Sequence, residues 1–153
     1  MFSVNEEIEA KNPIGLILGG GPSLEGAGLS EEYIKHFDIP ILGICLGHQL
    51  LSLASGAKTI KMKCGHHGCP AVRTIESGRI DMTSQSHDYA VDAASLAGTR
   101  LTITHENVLD GTVEGIECAE DKMYALQFYP ESAPGPQDCA YLFDKFIKLM
   151  EEK

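Results

Sequence analysis

The sequence predicts an α/β fold built around a mostly parallel sheet. Two short apolar segments, residues 14–18 and 39–44, have the length of buried strands, and each leads into a turn that contains glycine. Segments with helical spacing of apolar residues follow these turns, at residues 30–37 and 48–55. Strand–turn–helix alternation is typical of parallel sheets, whose functional sites lie where the strands end.

The composition predicts one globular domain, residues 1–153, with 43% hydrophobic residues. The net charge of −10 argues against nucleic acid or an anionic membrane as a partner. No apolar run approaches the roughly 20 residues of a membrane span, and residues 1–7 lack the features of a signal peptide. The five scattered cysteines form no disulfide framework, which favours a reducing, cytoplasmic location.

The remaining segments predict further strands and a closing helix. A short helical piece covers residues 5–11. The expected strands, several separated by turn signals, are residues 58–63, 71–75, 79–83, 101–106, 112–118 and 123–128. An amphipathic helix is expected at residues 138–151, with Asp138 as its N-cap. The residues expected to face inward from it are Leu142, Phe143, Phe146, Ile147 and Met150.

The turn at residues 43–47 reads Gly-Ile-Cys-Leu-Gly, the cysteine version of a nucleophile elbow. Such a turn strains the backbone of its central residue and places Cys45 at the N-terminus of a helix, where partial positive charge favours a thiolate. The backbone N–H of Leu46 is then placed to stabilise an oxyanion. The alternative is that Cys45 is a small buried core residue, as most free cysteines are.

The run Gly19–Gly20–Gly21 follows the first predicted strand. Glycines at such a position indicate close approach of the backbone, so the run is expected to offer a backbone N–H that faces the cysteine site. The alternative is a plain flexible turn. A dinucleotide-binding fingerprint is not indicated, because its glycine spacing is absent.

Two cysteines and two histidines cluster at residues 64–69. Their spacing is too cramped for all four side chains to surround one ion, and no second Cys/His pair completes a zinc pattern. The segment is therefore expected to be a structural loop between two strands, and no metal site is predicted.

Residues 43–51, 84–91 and 127–138 together resemble a class I (triad) glutamine amidotransferase. Within that family the chain is most similar to the amidotransferase domain of the carbamoyl phosphate synthase small subunit. Residues 61–68, 110–115 and 130–136 carry this closer resemblance. It extends from about residue 12 to the C-terminus.

The resemblance implies a flavodoxin-like fold with a central mostly parallel sheet, truncated at the N-terminus, and with added antiparallel strands in the second half. It implies hydrolysis of glutamine to glutamate and ammonia through a cysteine thioester, in arginine and pyrimidine biosynthesis. The implied partners are glutamine and a carbamoyl phosphate synthase large subunit. Association with a second copy of the chain stays open. ATP and magnesium would belong to the synthetase partner, so no cofactor is expected in this chain.

Carried over to this sequence, the resemblance makes Cys45 the nucleophile. The oxyanion hole is formed by Leu46 with Gly20 and Gly21, and Glu131 is the acid that orients the base. The residues implied to line the glutamine pocket are Gln49, Ser86, Asp88 and Tyr89.

The sequence departs from the family at its catalytic base. Tyr129 stands where the family has a histidine. A phenol with a pKa near ~10 accepts protons poorly at neutral pH, and loss of a general base typically costs about 10²–10⁴-fold in rate. His48 and His87 are candidate substitutes, but neither matches the position of the family's base.

A second departure lies in the pocket segment, where Ser86 and Asp88 replace the Asn and Gly that this branch of the family tends to have. The added carboxylate is expected to repel the substrate's own. Glutaminase activity is therefore expected to be impaired. Two alternatives stay open: a catalytically inactive binding or regulatory relative, and an amidotransferase of another pathway such as GMP synthesis.

Overall fold

A computed structural model describes residues 4–21, 36–132 and 135–152. The α-helices in these ranges are α1 (Val4–Glu9), α2 (Leu46–Ala54) and α3 (Tyr141–Glu151), with a 3₁₀ helix at Ala93–Gly98. The strands are β1 (Leu16–Leu18), β2 (Ile41–Ile44), β3 (Thr59–Gly68), β4 (Ala71–Thr74), β5 (Ile80–Met82), β6 (Gln85–Val91), β7 (Thr102–Asn107), β8 (Val113–Cys118) and β9 (Met123–Leu126). No helix in the described part of the chain is long and apolar enough to cross a membrane.

The strands form one mixed sheet in the order β1-β2-β9-β8-β7-β4-β5. Parallel pairing joins β1 to β2 and β2 to β9, whereas β9, β8, β7, β4 and β5 pair antiparallel along the rest of the order. The predicted α/β fold with added antiparallel strands is confirmed. Parallel pairing is confined to the strands around the cysteine turn. In the second half, short connections join β4 to β5, β7 to β8 and β8 to β9, and they permit only antiparallel pairing of these neighbours.

The antiparallel ribbon of β3 and β6 stands beside this order. It joins the main sheet through a single register pair, Val91 of β6 with Val113 of β8. The ribbon carries the pocket segment at residues 84–91, so its attachment to the sheet decides where that segment lies relative to Cys45.

Apolar side chains cover both faces of the parallel strands. Ile41 of β2 packs with Leu51 of α2 in one buried cluster. The next residue, Leu42, points to the other face and packs with Phe146 of α3 in a second cluster. The two helices therefore sandwich β2, which holds the turn at its carboxyl end in a fixed position.

Three local predictions are wrong. Residues 64–68 belong to β3 instead of a loop. Asp138 is not an N-cap: its carboxylate accepts a hydrogen bond from the backbone N–H of Met82, and α3 begins at Tyr141 after Ala140. Ile147 is 45% exposed, so it does not face the core. The helix expected at residues 30–37 falls mostly outside the described residues.

Candidate active site

The cysteine turn joins β2 to α2 at the carboxyl end of the parallel strands. The turn consists of one residue, Cys45, because β2 ends at Ile44 and α2 begins at Leu46. The backbone angles of Cys45 are φ 53° and ψ −103°. Such a positive φ is strained for a residue with a side chain and persists only when its surroundings impose it. The backbone N–H of Cys45 donates to the carbonyl of Leu126 at 2.8 Å, which ties the turn to β9. The predicted strand–turn–helix elbow is confirmed as a backbone geometry.

Two glycines make this turn sterically feasible. A Cβ at Gly47 would lie 2.1 Å from the backbone oxygen of Leu18. One at Gly43 would lie 2.8 Å from the carbonyl carbon of Gly47 and 2.6 Å from Leu51. Real Cβ atoms do not approach backbone this closely, so side chains at these positions would displace α2 from the sheet.

Cys45 is buried, with 5% of the residue exposed. Its thiol contacts two polar side chains. The hydroxyl of Tyr129 donates to Sγ at 3.3 Å, and the amide nitrogen of Gln127 lies 3.8 Å from it. Burial raises the pKa of the Cys45 thiol above its ordinary value, although Tyr129, the backbone N–H of Leu46 and Gln127 partly offset this. The helix N-terminus acts in the expected direction, but desolvation of the thiolate outweighs it, so the net shift of the Cys45 pKa is upward.

Tyr129, expected from the resemblance to stand at the position of the base, has a phenol that is protonated at neutral pH. Its hydrogen bond to Cys45, together with burial, raises the pKa of the phenol to about 12. Glu131, expected to orient a base, is exposed and makes no hydrogen bond within the described residues. Its charge instead raises the pKa values of Cys45 and Tyr129. The structure therefore brings Cys45 and Tyr129 together, and Glu131 hydrogen-bonds to neither of them.

The glycine run lies against the elbow, as expected. A Cβ at Gly20 would be 3.8 Å from Cβ of Cys45 and 3.3 Å from the Tyr129 ring. One at Gly21 would be 2.7 Å from the side chain of Leu46. Gly20 and Gly21 thus lie next to Cys45 and Leu46, the residues of the turn.

Gln127 is a site residue that the sequence reasoning did not single out. Its side chain is fully buried, and its Oε1 accepts hydrogen bonds from Nε2 of Gln49 at 3.0 Å and from Nδ1 of His48 at 3.3 Å. Gln49 also donates to the carbonyl of Tyr89. Gln127 therefore links the elbow helix to the sulfur of Cys45. The sequence feature that could have indicated this role is a polar residue directly after the apolar strand β9.

The two substitute histidines do not reach the thiol. Burial lowers the pKa of His48 to about 3, so its ring is neutral, and it contacts Gln127. His87 has a pKa lowered by burial, and its ring contacts the Tyr89 carbonyl and Gln85. Among the described hydrogen bonds, neither ring is a partner of Cys45.

Ser86 and Asp88 lie on the outward face of β6 and share one partner. The ring of His67 lies 3.2 Å from the hydroxyl of Ser86 and 3.0 Å from the carboxylate of Asp88. Sequence reasoning did not assign His67 a role, because β3 and β6 pair only in the folded chain. The imidazole therefore gives the carboxylate of Asp88 a local hydrogen-bond partner.

An open cleft of about 540 Å³ adjoins these residues. Tyr129, Glu131 and Ser86 form part of its wall, together with Cys69 and Gln85. A volume of this size is ample for an amino acid. Tyr129 is the wall residue that contacts Cys45, whereas Cys45 itself and the predicted pocket residues Gln49, Asp88 and Tyr89 do not line this cleft.

Comparison with known proteins agrees with this geometry. The family described as "Glutamine amidotransferase class-I" matches residues 1–149. A solved structure from Thermoplasma acidophilum, provisionally described as part of a GMP synthase, has a TM-score of 0.76 at 23% identity. The match covers 94% of this chain and 76% of that one. At this identity the likeness shows the fold alone.

Curated relatives are more similar in sequence. The chain is 51% identical over 150 residues to the carbamoyl phosphate synthase pyrimidine-specific small chain of Lactiplantibacillus plantarum. It is 48% identical to the carbamoyl phosphate synthase small chain of Streptococcus pyogenes and 47% identical to that of Chlorobaculum tepidum. These matches cover 94–95% of this chain but only 41–42% of each relative.

Fold, elbow and sequence similarity agree, and the match of the family model extends over nearly the whole sequence. The chain belongs to the class-I glutamine amidotransferase family.

Proposed function

We propose that this chain is a glutamine amidotransferase domain of the carbamoyl phosphate synthase small-chain type, with slow turnover. Cys45 is the nucleophile, and glutamine binds in the cleft beside it. The relatives at 47–51% identity support the type. The observation that carries the proposal is the contact between Tyr129 and Cys45: a phenol that donates a hydrogen bond stands where a proton acceptor is needed.

The proposed reaction has two steps. The thiolate of Cys45 attacks the side-chain amide carbon of glutamine, and the C–N bond breaks as the nitrogen takes up a proton and leaves as ammonia. Water then attacks the thioester, which releases glutamate and restores the thiol. The oxyanion of each tetrahedral intermediate is stabilised by the N–H of Leu46 and by backbone of Gly20 and Gly21.

Tyr129 limits both steps. The Cys45 thiol must lose its proton, but burial raises its pKa. With the phenol's pKa at about 12, only about 10⁻⁵ of Tyr129 is phenolate at pH 7. Proton removal from the thiol and proton delivery to the departing nitrogen therefore fall to solvent. We infer a loss of about 10²–10⁴-fold relative to a histidine at this position.

The proposed partner follows from the relatives. Ammonia from glutamine would pass to a carbamoyl phosphate synthase large subunit, which would hold ATP and magnesium and serve arginine and pyrimidine biosynthesis. We place no cofactor in this chain.

A second candidate is a non-catalytic amidotransferase-like binding module. The observation that favours it is the pair of raised pKa values at Cys45 and Tyr129, because the nucleophile is then both protonated and without a base. Glutamine binding is common to both candidates, whereas turnover separates them.

Ammonia release from glutamine tests the proposal. The unmodified chain should be slow, Tyr129→His should be at least 100-fold faster, and adding Cys45→Ala to Tyr129→His should abolish the gain. Calorimetry with Cys45→Ala measures glutamine binding without turnover. Binding without any gain in Tyr129→His would favour the binding module. Fast turnover by the unmodified chain would contradict the proposed role of Tyr129.

A further inference from the structure

Three polar side chains from three strands meet on the inward face of β6. They are His66 of β3, His87 of β6 and Glu114 of β8, and each offers one ligand atom within 4.8 Å of the others. Glu114 is fully buried, His87 is 7% exposed, and the side chain of His66 is 11% exposed. Because residues alternate along a strand, His87 lies on the opposite face from Ser86 and Asp88. His66, His87 and Glu114 do not line the cleft, whereas Gln85, on the same face of β6 as His87, does.

Hydrogen bonds outside the cluster fix the orientation of both rings. Nδ1 of His87 lies 2.8 Å from the carbonyl oxygen of Tyr89. Since a carbonyl can only accept, Nδ1 carries the proton and Nε2 turns a lone pair inward. Nε2 of His66 lies 2.9 Å from the carboxylate of Asp110, and its Nδ1 lies 3.0 Å from Oε1 of Glu114. In a metal-binding histidine, one ring nitrogen usually binds the metal and the other hydrogen-bonds to a nearby carboxylate or carbonyl oxygen. Both rings have this arrangement here.

The interior of the cluster has more acceptors than donors. Oε1 of Gln85 lies 2.7 Å from Nε2 of His87 and 3.1 Å from Nδ1 of His66. The amide group of Gln85 is held in this orientation because its nitrogen donates to the hydroxyl of Thr83, whose own hydrogen goes to a backbone carbonyl. With neutral His87, the contact between Nε2 and Oε1 joins two lone pairs.

Glu114 adds a further unmatched acceptor. Its Oε1 accepts from the side-chain amide of Asn107 at 3.2 Å. Its Oε2 is fully buried and has no hydrogen-bond partner among the described residues. An unpaired buried carboxylate oxygen is costly, and a cation among these atoms would satisfy it.

We propose that His66, His87 and Glu114 bind a divalent transition-metal ion of the zinc class. Two imidazole nitrogens and one carboxylate are a common zinc ligand set, and Gln85 stands at the fourth position. Ligand atoms around tetrahedral zinc lie about 3.4 Å apart. The contact between Nδ1 of His66 and Oε1 of Glu114, at 3.0 Å, would lengthen slightly, and any pair near the 4.8 Å limit would shorten. The competing occupant is a proton on His66, whose pKa Glu114 raises to about 9.

The ion would act as a structural clamp. It would join β3 and β6 of the ribbon to β8 of the main sheet, which the ribbon otherwise meets at the pair Val91 and Val113. The clamp would fix the position of Ser86 and Asp88 relative to the elbow. This inference does not depend on the proposed catalytic function, because its readouts are metal binding and stability.

Zinc titration of the metal-stripped chain tests the site, in a Cys64→Ser, Cys69→Ser background that removes the exposed thiols. We expect one equivalent of Zn²⁺ to bind and to raise the melting temperature. His66→Asn should weaken zinc binding at least 100-fold and abolish the temperature shift, and Glu114→Gln should do the same. His67→Asn is the matched control, because the ring of His67 faces the outside of the ribbon. This variant should bind zinc as tightly as the parent, which is the protein that carries only Cys64→Ser and Cys69→Ser.

Asp110→Asn covers the case in which the buried variants fail to fold. Asp110 contacts His66 from the surface, so this variant should stay folded by circular dichroism and bind zinc about 10–100-fold more weakly. Absence of zinc uptake by the parent would assign the cluster to a protonated His66 and overturn the proposal. Equal affinity of the parent and Asp110→Asn, or of the parent and a folded His66→Asn, would overturn it as well.

Discussion

The hydroxyl of Tyr129 donates a hydrogen bond to Sγ of Cys45 across 3.3 Å. The pair joins the turn after β2 to the segment after β9, two neighbouring parallel strands. A donor at this distance stabilises a thiolate but cannot take its proton. The hydroxyl therefore directs a favourable dipole toward the sulfur, as a protonated histidine would. Unlike a histidine, it cannot accept the proton of the thiol.

Removal of this hydroxyl should make the thiol less acidic. We expect Tyr129→Phe to raise the pKa of Cys45 by about one to two units, because a hydrogen bond to a charged acceptor contributes about 1.5–3 kcal/mol. The rate of alkylation by iodoacetamide at pH 8 should fall about 10–100-fold, measured on Cys45 by peptide mass spectrometry.

Tyr141→Phe is the matched control for that measurement. The Tyr141 hydroxyl donates to Asp81 at 2.8 Å and not to Cys45, so its removal should leave the alkylation profile of Cys45 unchanged. An unchanged profile in Tyr129→Phe would mean that Gln127 and the helix N-terminus alone determine the reactivity of the thiol.

The elbow could be predicted from sequence because its causes are local. The two glycines, the cysteine and the apolar strand before them lie within nine residues, and each constrains the backbone of the next. The same holds for the α/β alternation of the first half. What the sequence reasoning got wrong at the elbow was the sign of the pKa shift, since burial of Cys45 depends on elements far along the chain.

The polar contacts around the site could not be predicted in this way. Gln127 meets Cys45 across 82 positions, and His67 meets Asp88 through the pairing of β3 with β6. Periodicity places a residue on a face of its own strand but does not say which strand lies beside it. For the same reason residues 64–69 gave no sign that His66 alone turns inward, toward Glu114.

Gln127 should be important for stability as well as for the site. Gln127→Ala would leave Nδ1 of His48 and one N–H of Gln49 buried without an acceptor. We expect the free energy of unfolding to fall by about 2 to 4 kcal/mol, measured by urea denaturation. Gln137→Ala, at an exposed position, should stay within about 0.5 kcal/mol of the parent. A similarly small change in Gln127→Ala would show that water replaces the lost acceptor.

Gly47 should tolerate no side chain. A Cβ there would lie 2.1 Å from the backbone oxygen of Leu18, so Gly47→Ala must push α2 away from β1. We expect a loss of about 3 kcal/mol in unfolding free energy, measured by urea denaturation. Gly98→Ala is the comparison, since nothing lies within 4 Å of its Cβ position. Equal stability of the two variants would contradict the close packing of the elbow.

Two buried histidines should make the fold sensitive to acid. Burial lowers the pKa of His48 to about 3 and that of His105 to about 4. In the unfolded chain both rings take up a proton near pH 6.5, so below that pH the unfolded state binds more protons than the folded state. The free energy of unfolding must therefore fall as the pH drops from about 6.5 toward the folded pKa values.

Each ring should contribute a loss of about 1.5 kcal/mol between pH 6.5 and pH 5. Urea denaturation at the two pH values measures the total, and the non-titrating variant His105→Gln should show a loss smaller by about that amount. His36→Asn, which alters an exposed ring, should lose as much stability as the parent. A parent whose stability is constant from pH 6.5 to pH 5 would mean that these rings take up protons in the folded state as readily as in the unfolded chain.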